Sequence, residues 1–314
     1  MLVGLIPASG CQERKQAEIL PEPLPLQTLR PTSHHDLEDF FASQNYDWDT
    51  IHDGVPPFIL ETLPGDLHQV SRISKKKQLF FLSLLPMVLL ANDEIKSQRE
   101  SLEQIFADFD SSRPLTDDEQ EQVQRLARSY DIKGDPLGDP ALRRSLLERV
   151  DVIPASLVLA QAATESAYGT SRFARRANNL FGEWTFIPGN GLVPKERPEG
   201  ATYEVRRFRT VADSLYSYMR NINTNGAYQE FRHKRAALRA AGKPLRGIDL
   251  AGGLEHYSTR GLEYVEELRQ IIVNNRLTRL SLAPLRATGE SSGLLSSSDF
   301  THRSHPVLAE TTAD

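Results

Sequence analysis

Apolar residues recur on a helical period through much of this chain. Leu84, Met87, Val88 and Ile95 fall near a repeat of three to four, and Leu102, Ile105 and Phe106 continue it, which predicts two helices between Leu67 and Asp110. The run Gln78 to Asn92 carries no charge. Its 15 residues, with Pro86 among them, fall short of the roughly 20 that a bilayer requires and predict a buried core helix. Thr116 to Tyr130 opens with Asp117, Asp118 and Glu119 behind a capping Thr, where carboxylates meet the free N–H groups of a helix start. A breaker-rich turn, Gly134 to Pro140, leads to a predicted helix at Ala141 to Val150. Further helices are predicted at Val211 to Thr224 and Gly261 to Asn275, the last with Leu262, Val265, Leu268, Ile271 and Ile272 as its apolar stripe. The central strand-like alternation, Thr202 to Phe208, adjoins the Gly- and Pro-rich stretch Ile187 to Glu204 and predicts a small β lobe. Asp36 to Asp66, with Pro56 and Pro57, predicts short helices and loops.

The fold class expected is therefore mainly α with a small β lobe, preceded by a helical N-terminal region. The expected organisation is a leader and Pro-rich tether over 1–35, a helical region over 36–130, a chemistry-bearing domain over 131–283 and a Ser/Thr-rich disordered tail over 284–314. No internal repeat is found.

One segment carries the chemistry. Pro154 to Thr164, PASLVLAQAAT, has no charge, and Pro154 and Gly169 suit the two ends of a helix. A helix apolar on nearly every side is buried on nearly every side, yet Glu165 follows directly, on the face of Val158 and Ala162. Carboxylates are seldom buried alone. Desolvation and the negative end of the helix dipole both raise the pKa of such a group, and a carboxylic acid still protonated near neutral pH can protonate a glycosidic oxygen.

Charge and cysteine count narrow the field. The net charge of −5 argues against a chain basic throughout and built to coat nucleic acid. The middle is nevertheless basic: Glu165 to Leu250 holds 15 Lys or Arg against 8 Asp or Glu, and the remainder 22 against 34, which suits an anionic polymer. The single cysteine, Cys11, excludes a disulfide framework and a cysteine-rich zinc site. None of the eight histidines forms an HExxH, and His34 and His35 lie in a linker-like stretch as incidental surface residues.

Two resemblances add to this reading. Met1 to Cys11, MLVGLIPASGC, resembles the lipobox of bacterial lipoproteins, in which the cysteine is acylated, although no Lys or Arg precedes it. That implies lipidation at Cys11, a membrane tether and a place in the cell envelope. Ala160 to Trp184, AQAATESAYGTSRFARRANNLFGEW, resembles the signature of bacterial peptidoglycan glucosaminidases, the family of the flagellar cell-wall hydrolase domain, in its Bax-type form. Glu165, Ser166, Asn178, Asn179, Leu180, Phe181 and Gly182 match that signature. Phe208 with Arg209, a helix ending near Tyr228, and His256 to Gly261 match further blocks in the family's order, so the likeness covers roughly Leu67 to Leu280. It implies a lysozyme-like fold with a cleft between helical core and β lobe, Glu165 as acid catalyst, and hydrolysis of the β-1,4 bond after N-acetylglucosamine in peptidoglycan, without metal or cofactor. It also implies a second carboxylate in the β lobe about forty residues further on. Glu204 fits that separation; Glu183, Glu196 and Glu199 are weaker candidates, and a paired surface residue beside Arg206 and Arg207 is the plainer reading of Glu204. Tyr228 matches a family tyrosine that orients the acetamido group or the water, and Asn179 is taken as substrate-binding from the same motif. Phe181 and Trp184 either stack on sugar rings or pack in the core. The rival readings are a lytic transglycosylase, whose usual Gly-Leu-Met-Gln block is absent, and a noncatalytic glycan-binding envelope protein.

Overall fold

The computed structural model describes residues 25–287. The chain enters through β1 (Gln27–Leu29), passes into α1 (His34–Ser43) behind a reciprocal Ser33–Asp36 cap, and returns as β2 (Phe58–Leu60), which pairs in parallel with β1.

Next comes α2 (Ile73–Asp110), one helix of 38 residues where the periodicity predicted two. Pro86 does not break it. The missing N–H leaves the carbonyl of Leu82 without its helical partner, and the Tyr46 hydroxyl donates to that carbonyl at 3.0 Å. Phe80, Phe81, Leu84, Leu85, Met87 and Val88 are wholly buried around it. By length and composition alone α2 could cross a membrane, but most of its apolar window is covered by the protein's own chain, as a core helix requires.

The helices α3 (Asp117–Ser129) and α4 (Pro140–Arg149) begin as their sequences dictate, with Thr116 and Glu119 capping each other and Asp139 capping a helix that has proline in its first position. Then follow α5 (Ala155–Ser166), α6 (Arg172–Ala177), a small sheet of β3 (Trp184–Thr185), β4 (Gly191–Leu192) and β5 (Glu204–Arg206), and the helices α7 (Val211–Thr224), α8 (Gln229–Ala240), α9 (Gly247–Leu250) and α10 (Leu262–Asn274). In the sheet β5 lies between its two antiparallel neighbours, with Trp184 opposite Val205 and Leu192 also opposite Val205. The fold is thus mainly α with a small β lobe, as the sequence predicts.

The N-terminal region and the segment bearing Glu165 share one apolar core, running from Leu37 to Leu280. The start of α5 is held by Asp151, buried and ion-paired to Arg239 and Arg235 of α8, while Arg235 also donates to the carbonyls of Asp151 (2.9 Å) and Val152 (3.0 Å). Residues 284–286 return to the N-terminal region: Val55 donates to the Pro284 carbonyl at 2.8 Å and Arg286 to the Val55 carbonyl at 2.9 Å. In α10 the buried stripe runs through Tyr264, Val265, Leu268 and Ile272, whereas Leu262, expected in it, stands at the helix start with 67% of its surface exposed. The leader with Cys11 and the remainder of the expected tail lie outside the described residues.

Candidate active site around Glu165

Helix α5 is sealed along its length. Every residue from Ala155 to Ala163 is buried, and Thr164 and Glu165 are the first to reach solvent. Its exit is a tight left-handed turn, with Ala167, Tyr168 and Gly169 all at positive φ. Ser166 closes that turn by donating to the Ala162 carbonyl at 2.5 Å and accepting the Gly169 N–H at 2.8 Å. Glycine suits 169, where φ is +77 and a Cβ would stand 2.6 Å from Leu63 Cδ1 and 3.2 Å from the Phe80 ring.

The two oxygens of Glu165 have different surroundings. Oε1 accepts the Tyr264 hydroxyl of α10 at 2.8 Å. Oε2 faces Gly182, where a built Cβ would lie 3.9 Å away. Desolvation pushes the Glu165 carboxyl up to about 7; the Tyr264 hydrogen bond and the charge of Arg260 oppose that rise, and Glu267 adds to it. Arg260 itself bonds Glu267 at 2.6 Å and lies over the Tyr264 ring. The His256 to Gly261 block thus sets the charge around the acid.

Gly182 belongs to a turn built by the two asparagines before it. Asn178 sits at φ 52 and donates to the Arg209 carbonyl at 3.0 Å. Asn179 Oδ1 accepts the N–H of Phe181 (3.3 Å) and of Glu183 (3.1 Å), while its Nδ2 donates to the carbonyls of Glu183 (2.8 Å) and Arg206 (2.9 Å). The expected substrate contact at Asn179 is therefore a buried side chain that staples the turn to β5, with all its hydrogen-bonding capacity used on backbone. Phe181 is wholly buried, stacked face to face on Tyr218 at 3.9 Å, so its ring serves the core. Trp184 is partly exposed, stacked on Tyr203 at 4.1 Å.

Two further carboxylates lie in this region. Glu183 follows Gly182 and is buried, with Oε2 accepting the Ser217 hydroxyl at 2.8 Å and ion-paired to Arg206 at 3.6 Å; burial pushes it up to about 7 against the Arg206 charge and the Ser217 bond. Its Oε1 is buried with no hydrogen-bond partner. Glu204 is also buried, but its oxygens accept the N–H of Gly189 (3.1 Å) and Gly191 (2.8 Å), so it ties down the tip of the β lobe. Glu196 and Glu199 stand exposed on the lobe. Tyr228 is buried, bonded to Asn221, and its hydroxyl is pushed up by burial and by the charges of Glu183 and Glu165.

Sequence reasoning missed Tyr264 and Gln161. Gln161 Nε2 donates to the Tyr264 hydroxyl at 3.0 Å, and its Oε1 accepts the Tyr218 hydroxyl, so a buried file of three side chains ends on Glu165. The one available signal was Gln161 itself, a lone amide in an uncharged helix one turn before the acid.

A group able to hold a metal lies on α1: His34, His35 and Glu38 bring ligand atoms within 4.8 Å of one another, with His34 Nδ1 on Asp66 at 2.8 Å and Glu38 Oε2 on Lys75 at 2.7 Å. A surface hollow lined by Phe109, Arg113, Leu115, Asp135 and Leu137 lies between α2 and α3. Its charged groups are engaged in an Arg113–Asp108 ion pair and an Asp135 turn.

Comparison with known proteins places the chain in a family. A glucosaminidase family model, described as mannosyl-glycoprotein endo-beta-N-acetylglucosaminidase, matches residues 142–277, from within α4 to just beyond α10. Protein bax of Escherichia coli (strain K12) is 31% identical over 211 residues, covering 67% of this chain and 74% of that protein. The chain belongs to the Bax-type glucosaminidase family. No solved structure matches it. Within the glucosaminidase match fall Glu165, the Asn178 to Gly182 turn, Glu183, Glu204, Tyr228 and Tyr264, so the site described above lies wholly inside the family's domain.

Proposed function

We propose that this protein is an endo-β-N-acetylglucosaminidase that hydrolyses the β-1,4 bond after N-acetylglucosamine in peptidoglycan, with Glu165 as general acid. The observation that carries this reading is the Glu165 carboxyl itself. It is held on one oxygen by Tyr264, has its other oxygen toward Gly182, and is pushed by desolvation to about 7. An acid of that strength keeps its proton in about half of the molecules at pH 7 and can give it to the leaving glycosidic oxygen as the bond breaks, work worth roughly 100- to 10,000-fold in rate. Activity should accordingly fall as pH rises through about 7.

The oxocarbenium-like charge that develops needs a second carboxylate or the substrate's own acetamido oxygen. We assign this role to Glu204, the residue that the family resemblance implies, acting when incoming glycan draws it off the Gly189 and Gly191 amides. Glu183 is the alternative, supported by its unpartnered Oε1 and raised pKa. The rates of Glu204→Gln and Glu183→Gln on one substrate decide between them. Tyr228, which the charges of both acids reach, orients the acetamido group or the water, and Trp184 offers a partly exposed ring for a sugar.

The lysozyme-like cleft, the cell-envelope location and the lipid anchor at Cys11 belong to the same proposal, and the basic centre of the chain suits an anionic cell-wall polymer. Intact mass of the native protein tests the anchor: an acylated Cys11 supports it, and an unmodified Cys11 in a soluble cytoplasmic fraction overturns it. For the reaction, products from purified sacculi are reduced with borohydride and hydrolysed to sugars. Reduced N-acetylglucosamine is expected. Reduced N-acetylmuramic acid would overturn the bond assignment, and an unreducible anhydro sugar would identify a lytic transglycosylase.

A further inference from the structure

A carboxylic acid that works as a proton donor must carry its proton on the oxygen that meets the substrate. In Glu165 that oxygen is Oε2. Tyr264, against Oε1, is wholly buried, so the exposed part of Glu165 lies on the Gly182 side.

In the structure the hydrogen bonds behind Glu165 run in one direction. Gln161 Nε2 has only protons to give, so in its 3.0 Å contact the Tyr264 hydroxyl must accept. The single proton of Tyr264 is then left for Glu165 Oε1, 2.8 Å away. An Oε1 that accepts this proton leaves Oε2 to carry the acid's own. Were the Gln161 amide turned over, its Oε1 would take the Tyr264 proton, Tyr264 would need one from Glu165, and the acid proton would sit on Oε1, pointing into the core. In the structure the amide is turned the first way, with Oε1 accepting the hydroxyl of Tyr218, whose ring is fixed by its stack on Phe181. Resting on the reading of Glu165 as general acid, we propose that Gln161, with its Oε1 on Tyr218, is a positioning residue that directs the transferable proton of Glu165 onto Oε2.

The groups facing Glu165 are Tyr264 and Glu267 of α10, Arg260 before it, Tyr218 of α7, and Tyr228 and Tyr257. Gln161 itself does not titrate, so its effect appears as a misdirected proton rather than as lost binding.

The test compares full-length wild type, Gln161→Met and Tyr218→Phe on native glycan and on an aryl glycoside of an N-acetylglucosamine oligomer, whose leaving group needs little acid assistance. Met keeps the length of the side chain without its hydrogen bonds, and Phe keeps the ring stack. On native glycan the kcat of Gln161→Met should fall about 10- to 100-fold with KM nearly unchanged, while on the aryl glycoside it falls less than about 3-fold. Tyr218→Phe should show the same selective loss at about 3- to 10-fold. Equal losses on both substrates, or losses carried by KM, would reduce Gln161 to a structural role and overturn the proposal. If Gln161→Met does not fold, Tyr218→Phe decides alone, since an unchanged ratio of the two substrates' rates also overturns it. Failure of the parent reading looks different: Glu165→Gln would then cleave native glycan as fast as wild type.

Discussion

Replacing Glu165 by Gln separates what this side chain does for the reaction from what it costs the fold. The amide is nearly isosteric, and its carbonyl can accept the Tyr264 hydroxyl as Oε1 does now, leaving the NH2 toward Gly182. The rise of the carboxyl from 4.5 to about 7 corresponds to roughly 3 kcal/mol of resistance to ionisation inside the fold, and partial exposure reduces this to about 1–3 kcal/mol. Between pH 4.5 and about 7 the folded protein keeps a proton that the unfolded chain has released, so this site makes stability fall as pH rises through that window. Below 4.5 the effect is absent, and above about 7 it is complete. Gln does not ionise. The stability of Glu165→Gln relative to wild type should therefore improve by about 1–3 kcal/mol between pH 4.5 and pH 8, measured by urea unfolding at several pH values with m-values compared. A difference that stays constant with pH, or that moves the other way, would refute the claim that Glu165 is held protonated by desolvation.

Three further outcomes follow from the structure. Glu183→Gln should show a stability gain with the same pH dependence, because burial raises that carboxyl too, and a pH-independent effect would contradict the raised pKa. Tyr46→Phe strands the buried Leu82 carbonyl opposite Pro86 and should cost about 1–3 kcal/mol, whereas in a Pro86→Ala background the restored N–H takes that carbonyl and a double-mutant cycle should show the cost shrink; an additive cycle would sink the compensation. Asn179→Ala removes four backbone contacts and should lower stability by about 2–4 kcal/mol together with kcat, while a change confined to KM with unaltered melting would restore the substrate-binding role.

The chemistry-bearing helix was plain in the sequence because its signal is local: an uncharged run, a proline before it, a glycine after it and one carboxylate out of place. The capped start of α3, the helix Val211–Thr224 and the β lobe were legible for the same reason. What was hidden depends on partners far along the chain. The periodicity suggested two helices where α2 is one, and only the fold supplies Tyr46 to satisfy the carbonyl that Pro86 leaves bare. Tyr264 reaches Glu165 across 99 positions, and no spacing marks it out from the other residues of α10. Asn179 and Phe181 occupy motif positions that look functional in a list of residues, yet they act by shaping the turn that presents Gly182 and Glu183. Glu204 shows the same limit, since its separation from Glu165 was readable whereas its bonds to Gly189 and Gly191 were not.

The most direct test of the account is mass spectrometry of muropeptides released from purified sacculi by wild type and by Glu165→Gln, each first shown to be folded. Wild type should release fragments ending in reducing N-acetylglucosamine, and the variant should release them at least about 100-fold more slowly. Undiminished release by Glu165→Gln, or no release by the folded wild type, would contradict the assignment of Glu165 as the acid of a peptidoglycan hydrolase.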